Sequence, residues 1–327
     1  MTPSRPAAGS LAGSLADRLR LASEVAAALA AGRPVVALES TLISHGLPYP
    51  ENVTVARASE AAVREAGAVP ATVAVRDGEI LVGLDDAALE ALGTAPAGSV
   101  RKVARPSLAP ALAAGGWAAT TVSATMIAAH AAGIAVFATG GIGGVHRGAL
   151  GSGGGGTAPT FDISADLDEL ARTPVAVICA GPKAILDLPA TLEYLETRGV
   201  PVVAIGQDEL PGFYSRTSGI RAPFSVADEA EAAQLVRTHL ALGLGGGILL
   251  CTPAPADVAL PEDVARTAIE QAIADADRAG IGGPALTPWL LARIAVLTDG
   301  ASVRANTALI VHDAAVAGRM AVAVALT

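Results

Sequence analysis

The feature that most constrains this chain is an alternation along its length. Short, near-continuous runs of β-branched and aliphatic residues are separated by longer alanine-rich stretches. Runs at 34–41, 71–76, 80–83, 133–139, 175–180, 201–205 and 247–251 read as strands. Stretches at 16–31, 53–66, 122–132, 188–198, 226–242, 262–279, 288–297 and 302–317 read as helices. Strands that are apolar at consecutive positions need cover on both faces. The pattern therefore predicts an α/β protein, a three-layer α/β/α arrangement around a largely parallel central sheet. In such sheets ligands bind beyond the carboxyl ends of the strands. Glu39 closes the run VVALES, His146 follows VFATGGIGGVH, and Lys183 follows VAVICAGPK, so all three fall at such ends.

We expect one catalytic α/β unit over residues 16–327, after a disordered tail at 1–15. Asp17, Arg18, Arg20 and Glu24 interrupt the apolar positions of the first helical stretch, which reads as amphipathic and not as a secretory signal. Residues 151–160 read as a flexible Gly-rich insert, because GSGGGG has no side chains with which to pack.

Net charge is −9 and no basic patch stands out, which argues against nucleic acid as a partner. Mean hydropathy is high at +0.50. Yet no apolar run of about 18 residues is free of Gly, Pro or charge, so no membrane partner is expected. Cys179 and Cys251 lie inside apolar runs, as buried thiols of a reducing compartment do.

One count is sharper. Of 22 basic residues only Lys102 and Lys183 are lysine. Arginine stays protonated and cannot form an imine; lysine can. A chain that uses arginine nearly everywhere else makes each lysine a candidate for chemistry, against the plainer reading of a surface cation. Pro182 can open a helix, which would set Lys183 at a helix N-terminus. Glu39 can serve as acid or base at a strand end, or cap the next turn. Ser164 and Asp166 each suit a helix N-cap, and Asp166 with Glu169 matches a capping box. Asp162 precedes the cap, and a lone carboxylate with waters suits a hard divalent ion. The glycine-rich GGIGGVHRG at 140–148 fits neither the P-loop nor the dinucleotide fingerprint. Its backbone N–H groups, with His146 and Arg147, could meet an anion.

Several stretches together resemble the pseudouridine-5′-phosphate glycosidase family: ALESTLISHGLPYPEN (37–52), PATVAVRDGEILVGL (70–84), ATTVSATMIAAHAAGIAVFATGGIGGVHRGA (119–149), TFDISADLDELARTPVAVICAGPKAILD (160–187), GQDELPGFYSRTSG (206–219) and the C-terminal TPWLL…LTDGASVRANTALIVHDAAVAG. The resemblance runs from about Arg33 to Ala321. It implies reversible cleavage of the C–C glycosidic bond of pseudouridine 5′-phosphate into uracil and ribose 5-phosphate. Glu39 would be the proton donor, and Lys183 the nucleophile that forms an imine with C1′ of the opened ribose. Lys102, Val122, His146, Ser164, Ala165, Asp166 and Asn306 would line the substrate. Asp162 would bind a manganese-type divalent ion, one per subunit, in a cytoplasmic homotrimer. The chain departs from the family pattern in reading CAGPK instead of CAGAK, in the GSGGGG insert, and in a proline where a lysine is common in GGPALTPWLL. Two alternatives stand beside this reading. One is a C-glycosidase or synthase of pigment biosynthesis with another base; the other is a non-catalytic sugar-phosphate-binding protein.

Overall fold

Eleven strands form one sheet in the computed structural model, which describes residues 13–151, 158–282 and 286–325. Residues 1–12 of the expected tail and 152–157 of the expected insert lie outside these ranges. The strands are β1 (Leu19–Leu21), β2 (Val35–Leu38), β3 (Val69–Arg76), β4 (Glu79–Val82), β5 (Arg101–Val103), β6 (Trp117–Thr120), β7 (Val136–Ala138), β8 (Ala176–Cys179), β9 (Val202–Ile205), β10 (Phe224–Val226) and β11 (Ile248–Cys251). Their main order is β1-β4-β3-β2-β7-β8-β11-β9-β10, with β6 bound to β3 and β5 to β6.

The sheet has two halves. From β2 across to β10 every pairing is parallel. Val36, Leu38, Val136, Ala138, Ala176 and Ile178 pack on one face; Val35, Ala37, Phe137, Val177 and Cys179 pack on the other. Burial on both faces is what their continuous apolarity demands. The first face is covered by α3 (Glu51–Glu65), α9 (Glu229–Ala241) and α12 (Ala301–Ala325). The second is covered largely by α6 (Val122–Ala132), α7 (Ala165–Leu170) and α8 (Leu188–Thr197). The other half is mixed. The long β3 pairs parallel with β2 through residues 69–72, then antiparallel with β6 through residues 74–76. The carboxyl ends of β2 and β6 therefore point at each other along the same flank of β3.

Seven strands and most helices fall where the sequence predicts them. The expected helix at 16–31 does not hold as one element. It is divided into α1 (Leu15–Arg18), β1 and α2 (Ser23–Ala30), because Leu19–Leu21 pairs with β4 at the sheet edge. Leu15 accordingly belongs to α1, inside the expected tail. The helix α12 is long and apolar enough in composition to span a membrane, yet here it is a core helix packed on α3, α9 and the strands β2, β7 and β8.

Candidate active site

Where the two halves meet, hydroxyl-rich residues seal the joint. Ser40 N–H donates to the Thr120 carbonyl (3.3 Å), and Thr120 N–H returns a bond to Ser40 Oγ (3.0 Å). Thr41 Oγ1 also donates to the Thr120 carbonyl (2.8 Å). Glu39, half-buried beside this joint, accepts from Thr139 Oγ1 of the neighbouring strand end at 2.8 Å. The chain then turns through a single π-helical turn, Leu42–Gly46, which brings Leu42 and His45 to the same cleft. Such turns recur at functional sites.

Lys183 lies on a turn, and no helix begins at Pro182; α8 starts at Leu188, capped by Asp187 Oδ1 (3.0 Å to Ala190 N). The reason is that Pro182 and Lys183 run beside the glycine-rich segment 140–146. Ile142 N–H donates to Gly181 O (3.2 Å), and Lys183 N–H donates to Ile142 O (3.1 Å). The expected helix-terminus environment for the amine is thus replaced by a strand-like clamp. Gly181 sits at φ +88°, in the left-handed region that suits glycine.

The other edge of segment 140–146 holds the predicted substrate residues. Ser164 N–H donates to Gly144 O (3.0 Å) and His146 N–H to Asp162 O (3.0 Å). Ser164, and not Asp166, is the N-cap of α7: its Oγ accepts from Asp166 N (3.2 Å). The capping-box partner is absent as well, since Glu169 turns inward to Arg105 and Thr173. Asp166 instead accepts from Ser123 N (3.0 Å) in the first turn of α6 and from Gly143 N (2.9 Å). These two bonds tie the glycine segment to a helix start. Gly143 must be glycine, because a Cβ there would come within 2.3 Å of Ser164 Oγ.

These elements bound one cleft with two lobes of about 330 Å³ and 220 Å³. Glu39, Thr41, Lys102, Lys183 and Thr287 line both lobes. The larger lobe is mostly apolar, with Leu38, Ala138, Phe213, Leu291 and Ile310, and adds Asn306. The smaller is polar and adds Val122, His146, Ser164 and Asp166. Ala165 and Asp162 line neither lobe. Lys102 is exposed as a residue, yet partial burial at the cleft, and then the nearby Lys183 cation, push its ammonium below the usual lysine range, opposed by Glu39 and Asp166. Burial and Lys102 likewise lower the His45 imidazole. The cleft therefore gathers both lysines of the chain with one strand-end carboxylate.

Asp162 stands apart and exposed, and among the described residues its carboxylate has no hydrogen bond or ion pair. Among the described residues no three His, Cys, Asp or Glu side chains gather as a metal cage. Its surroundings fit a divalent ion held by one carboxylate and water, the hydrated coordination hard ions accept, and fit no all-protein cage. The flanks of the Gly-rich insert meet: Thr160 and Phe161 N–H both donate to Ala149 O (3.0 and 2.9 Å).

The lining residues that sequence reading missed are chiefly Thr41, His45, Thr139, Phe213, Thr287, Leu291 and Ile310. Thr41 and Thr139 carried a usable signal, since they end or follow the same strands as Glu39 and His146. The others reach the cleft only through tertiary packing.

A family model described as "Indigoidine synthase A like protein" matches residues 24–323. The chain is 55% identical to the pseudouridine-5′-phosphate glycosidase of Paracoccus denitrificans, over 94% of this chain and 98% of that one. It is also 55% identical to the protein of that name from Caldanaerobacter subterraneus subsp. tengcongensis, over 92% and 95%. Among solved structures, the prealnumycin C-glycosynthase AlnA in complex with ribulose 5-phosphate superposes with TM-score 0.84 at 38% identity, covering 94% of this chain and 97% of that one. An indigoidine synthase A-like protein from Thermotoga maritima gives TM-score 0.80 at 31% identity, with 93% and 95% covered. With a family model spanning nearly the whole chain and relatives above half identity at full length, the chain belongs to the indigoidine synthase A-like family, the family of the pseudouridine-5′-phosphate glycosidases.

Proposed function

We propose that this chain is a pseudouridine-5′-phosphate glycosidase that cleaves the C–C bond between ribose C1′ and uracil C5 through an imine on Lys183. Full-length relatives of that name at 55% identity support the reaction. The observation that carries the mechanism is the convergence of Glu39, Lys102 and Lys183 on one cleft.

Ordinary glycosidases work with two carboxylates and expel oxygen. Here the leaving atom is carbon, which departs badly without an electron sink. An amine supplies one. The Lys183 nitrogen attacks C1′, the C1′–O4′ bond breaks, and O4′ takes the proton of Glu39, opening the ribose. The Lys183 adduct gives its surplus proton back to Glu39, which then delivers it to uracil C5. The nitrogen lone pair forms C1′=N as the C1′–C5 electron pair returns to the uracil ring. Water adds to the imine and releases ribose 5-phosphate and free Lys183. In this reading the apolar lobe takes the base. The polar lobe, with Lys102, His146, Ser164 and the α6 N-terminus, takes the sugar phosphate, as helix N-termini commonly do. Asp162 with water would hold a manganese-type divalent ion, one per subunit, which would supply fixed positive charge. The same family likeness supports a homotrimer in the cytoplasm.

Borohydride trapping with ribose 5-phosphate tests the imine. A covalent adduct of one ribose phosphate on Lys183 is expected in the native chain, and Lys183→Arg should lose it together with uracil release. A trapped adduct that persists in Lys183→Arg would refute the assignment.

A further inference from the structure

α12 contributes Asn306 and Ile310 to the cleft, and one turn further along the same face it carries Asp313. Asp313 is wholly buried, with 0% of its surface exposed. Among the described residues neither carboxyl oxygen has a hydrogen-bond partner in regular geometry. A buried carboxyl left in this condition is costly as an ion, so its retention calls for a reason. Its position offers one. The Ala180 N–H, at the carboxyl end of β8 and three residues before Lys183, lies close enough to favour the carboxylate but makes no regular bond to it. That N–H is bonded to Gly140 O at 3.1 Å, which joins the β8 end to the glycine segment. Leu309 and Ala305 of the same helix pack in one apolar cluster with Ala180, and a Cβ on Gly140 would meet Ile310 at 2.7 Å. The next residue, Gly181, is held by the Cys179 thiol, which takes its N–H at 3.3 Å.

We propose that Asp313 is a positioning residue for Lys183, setting from beneath the β8 end the turn 180–183 that aims the amine into the cleft. The proposal rests on the imine reading above. Burial, and then the Cys179 thiol nearby, drive the Asp313 carboxyl well above the ordinary carboxylate range and so favour its neutral form, against the opposing Ala180 N–H. A neutral carboxyl can both donate and accept at the strand end, where an aliphatic side chain would only fill space. Local rules broken in a core commonly mark a site where position matters more than stability.

The test compares Asp313→Asn with Asp313→Leu by three readouts: melting temperature, the rate of borohydride-trapped adduct formation with ribose 5-phosphate, and amide exchange of residues 180–186. Asn keeps a neutral hydrogen-bonding group of the same shape; Leu does not. Leu is expected to fold with equal or higher stability, yet to form adduct about tenfold more slowly or worse and to exchange the Lys183 amide faster. Asn is expected to stay within about twofold of the native rate. A Leu variant with native trapping rate and native exchange overturns the proposal, as does an equal loss in Leu and Asn. If the native chain forms no adduct at all, the imine reading fails. Amide exchange at 180–186 then still decides whether Asp313 holds the turn.

Discussion

The parallel half of the sheet and the mixed half reach the cleft by opposite routes. The parallel half is written in strong local signals: four-residue apolar strands such as AVIC and ILLC, buried on both faces. It delivers Lys183 and Glu39 at the ends of regular strands. The mixed half is assembled from short segments that no local pattern announces. Arg101–Val103 has two exposed residues of three, and Trp117–Thr120 is largely Ala and Thr. It delivers Lys102, and it is held by long-range contacts: Ser40 to Thr120 across the joint, and Arg105 to Glu169 from α5 (Arg105–Ala114) to α7. Lys183, the proposed nucleophile, thus follows a strand buried on both faces, whereas Lys102 stands on a short segment placed by tertiary bonds.

Three measurements would sharpen or break this contrast. The largest effect on stability is expected at the tie between α5 and α7. Glu169 is fully buried, with Arg105 as its cation and the Thr173 hydroxyl as a further donor, so Arg105→Ala leaves a buried carboxylate without its counter-charge and should cost about 3 kcal/mol in denaturant unfolding. A loss of under roughly 1 kcal/mol would mean the tie is no stronger than a surface pair. Next comes Lys102→Met. It should lower kcat/KM for uracil release by about 100-fold, the scale of one lost electrostatic contact, while the Lys183 adduct still forms. Equal loss of the adduct would make the two lysines one unit and erase the distinction between the halves.

The smallest effect lies in pH dependence, where the two halves should have opposite signs. Asp313 has its proton affinity raised on folding, so the stability it contributes is complete below the ordinary value of 3.8 and is lost as pH rises. Asp313→Asn should thus match the native chain near that pH and gain on it as pH increases. Lys102 has its proton affinity lowered on folding, so its penalty is present at neutral pH and fades as pH approaches 10.5. The stability gain of Lys102→Met should shrink along the same climb. Thermal melts across pH would expose any departure from this opposition.

Much of this molecule is legible in its sequence. The continuous apolarity of the core strands leads to a covered, largely parallel sheet, because only burial on both faces satisfies such a run. Strand-end logic and the scarcity of lysine singled out Glu39, Lys183 and Lys102. Where reading failed, longer-range forces prevailed. Leu19–Leu21 left its helix for an edge pairing with β4. Pro182 opened no helix, because Ile142 claims the backbone around Lys183. Asp166 gave up its capping role to bond Ser123 and Gly143. Local preferences of about a kcal/mol yield to such contacts when burial and satisfied backbone bonds oppose them.

The sequence by itself determined the layer architecture and which side chains could do the chemistry, since periodicity and residue type are local properties. Only the tertiary structure decided that β2 and β6 end against each other and that both lysines share one cleft with Glu39. It alone buried Asp313 near the end of β8 with no regular hydrogen bond among the described residues. Those outcomes depend on pairings between residues tens of positions apart, for which no single segment carries the energy.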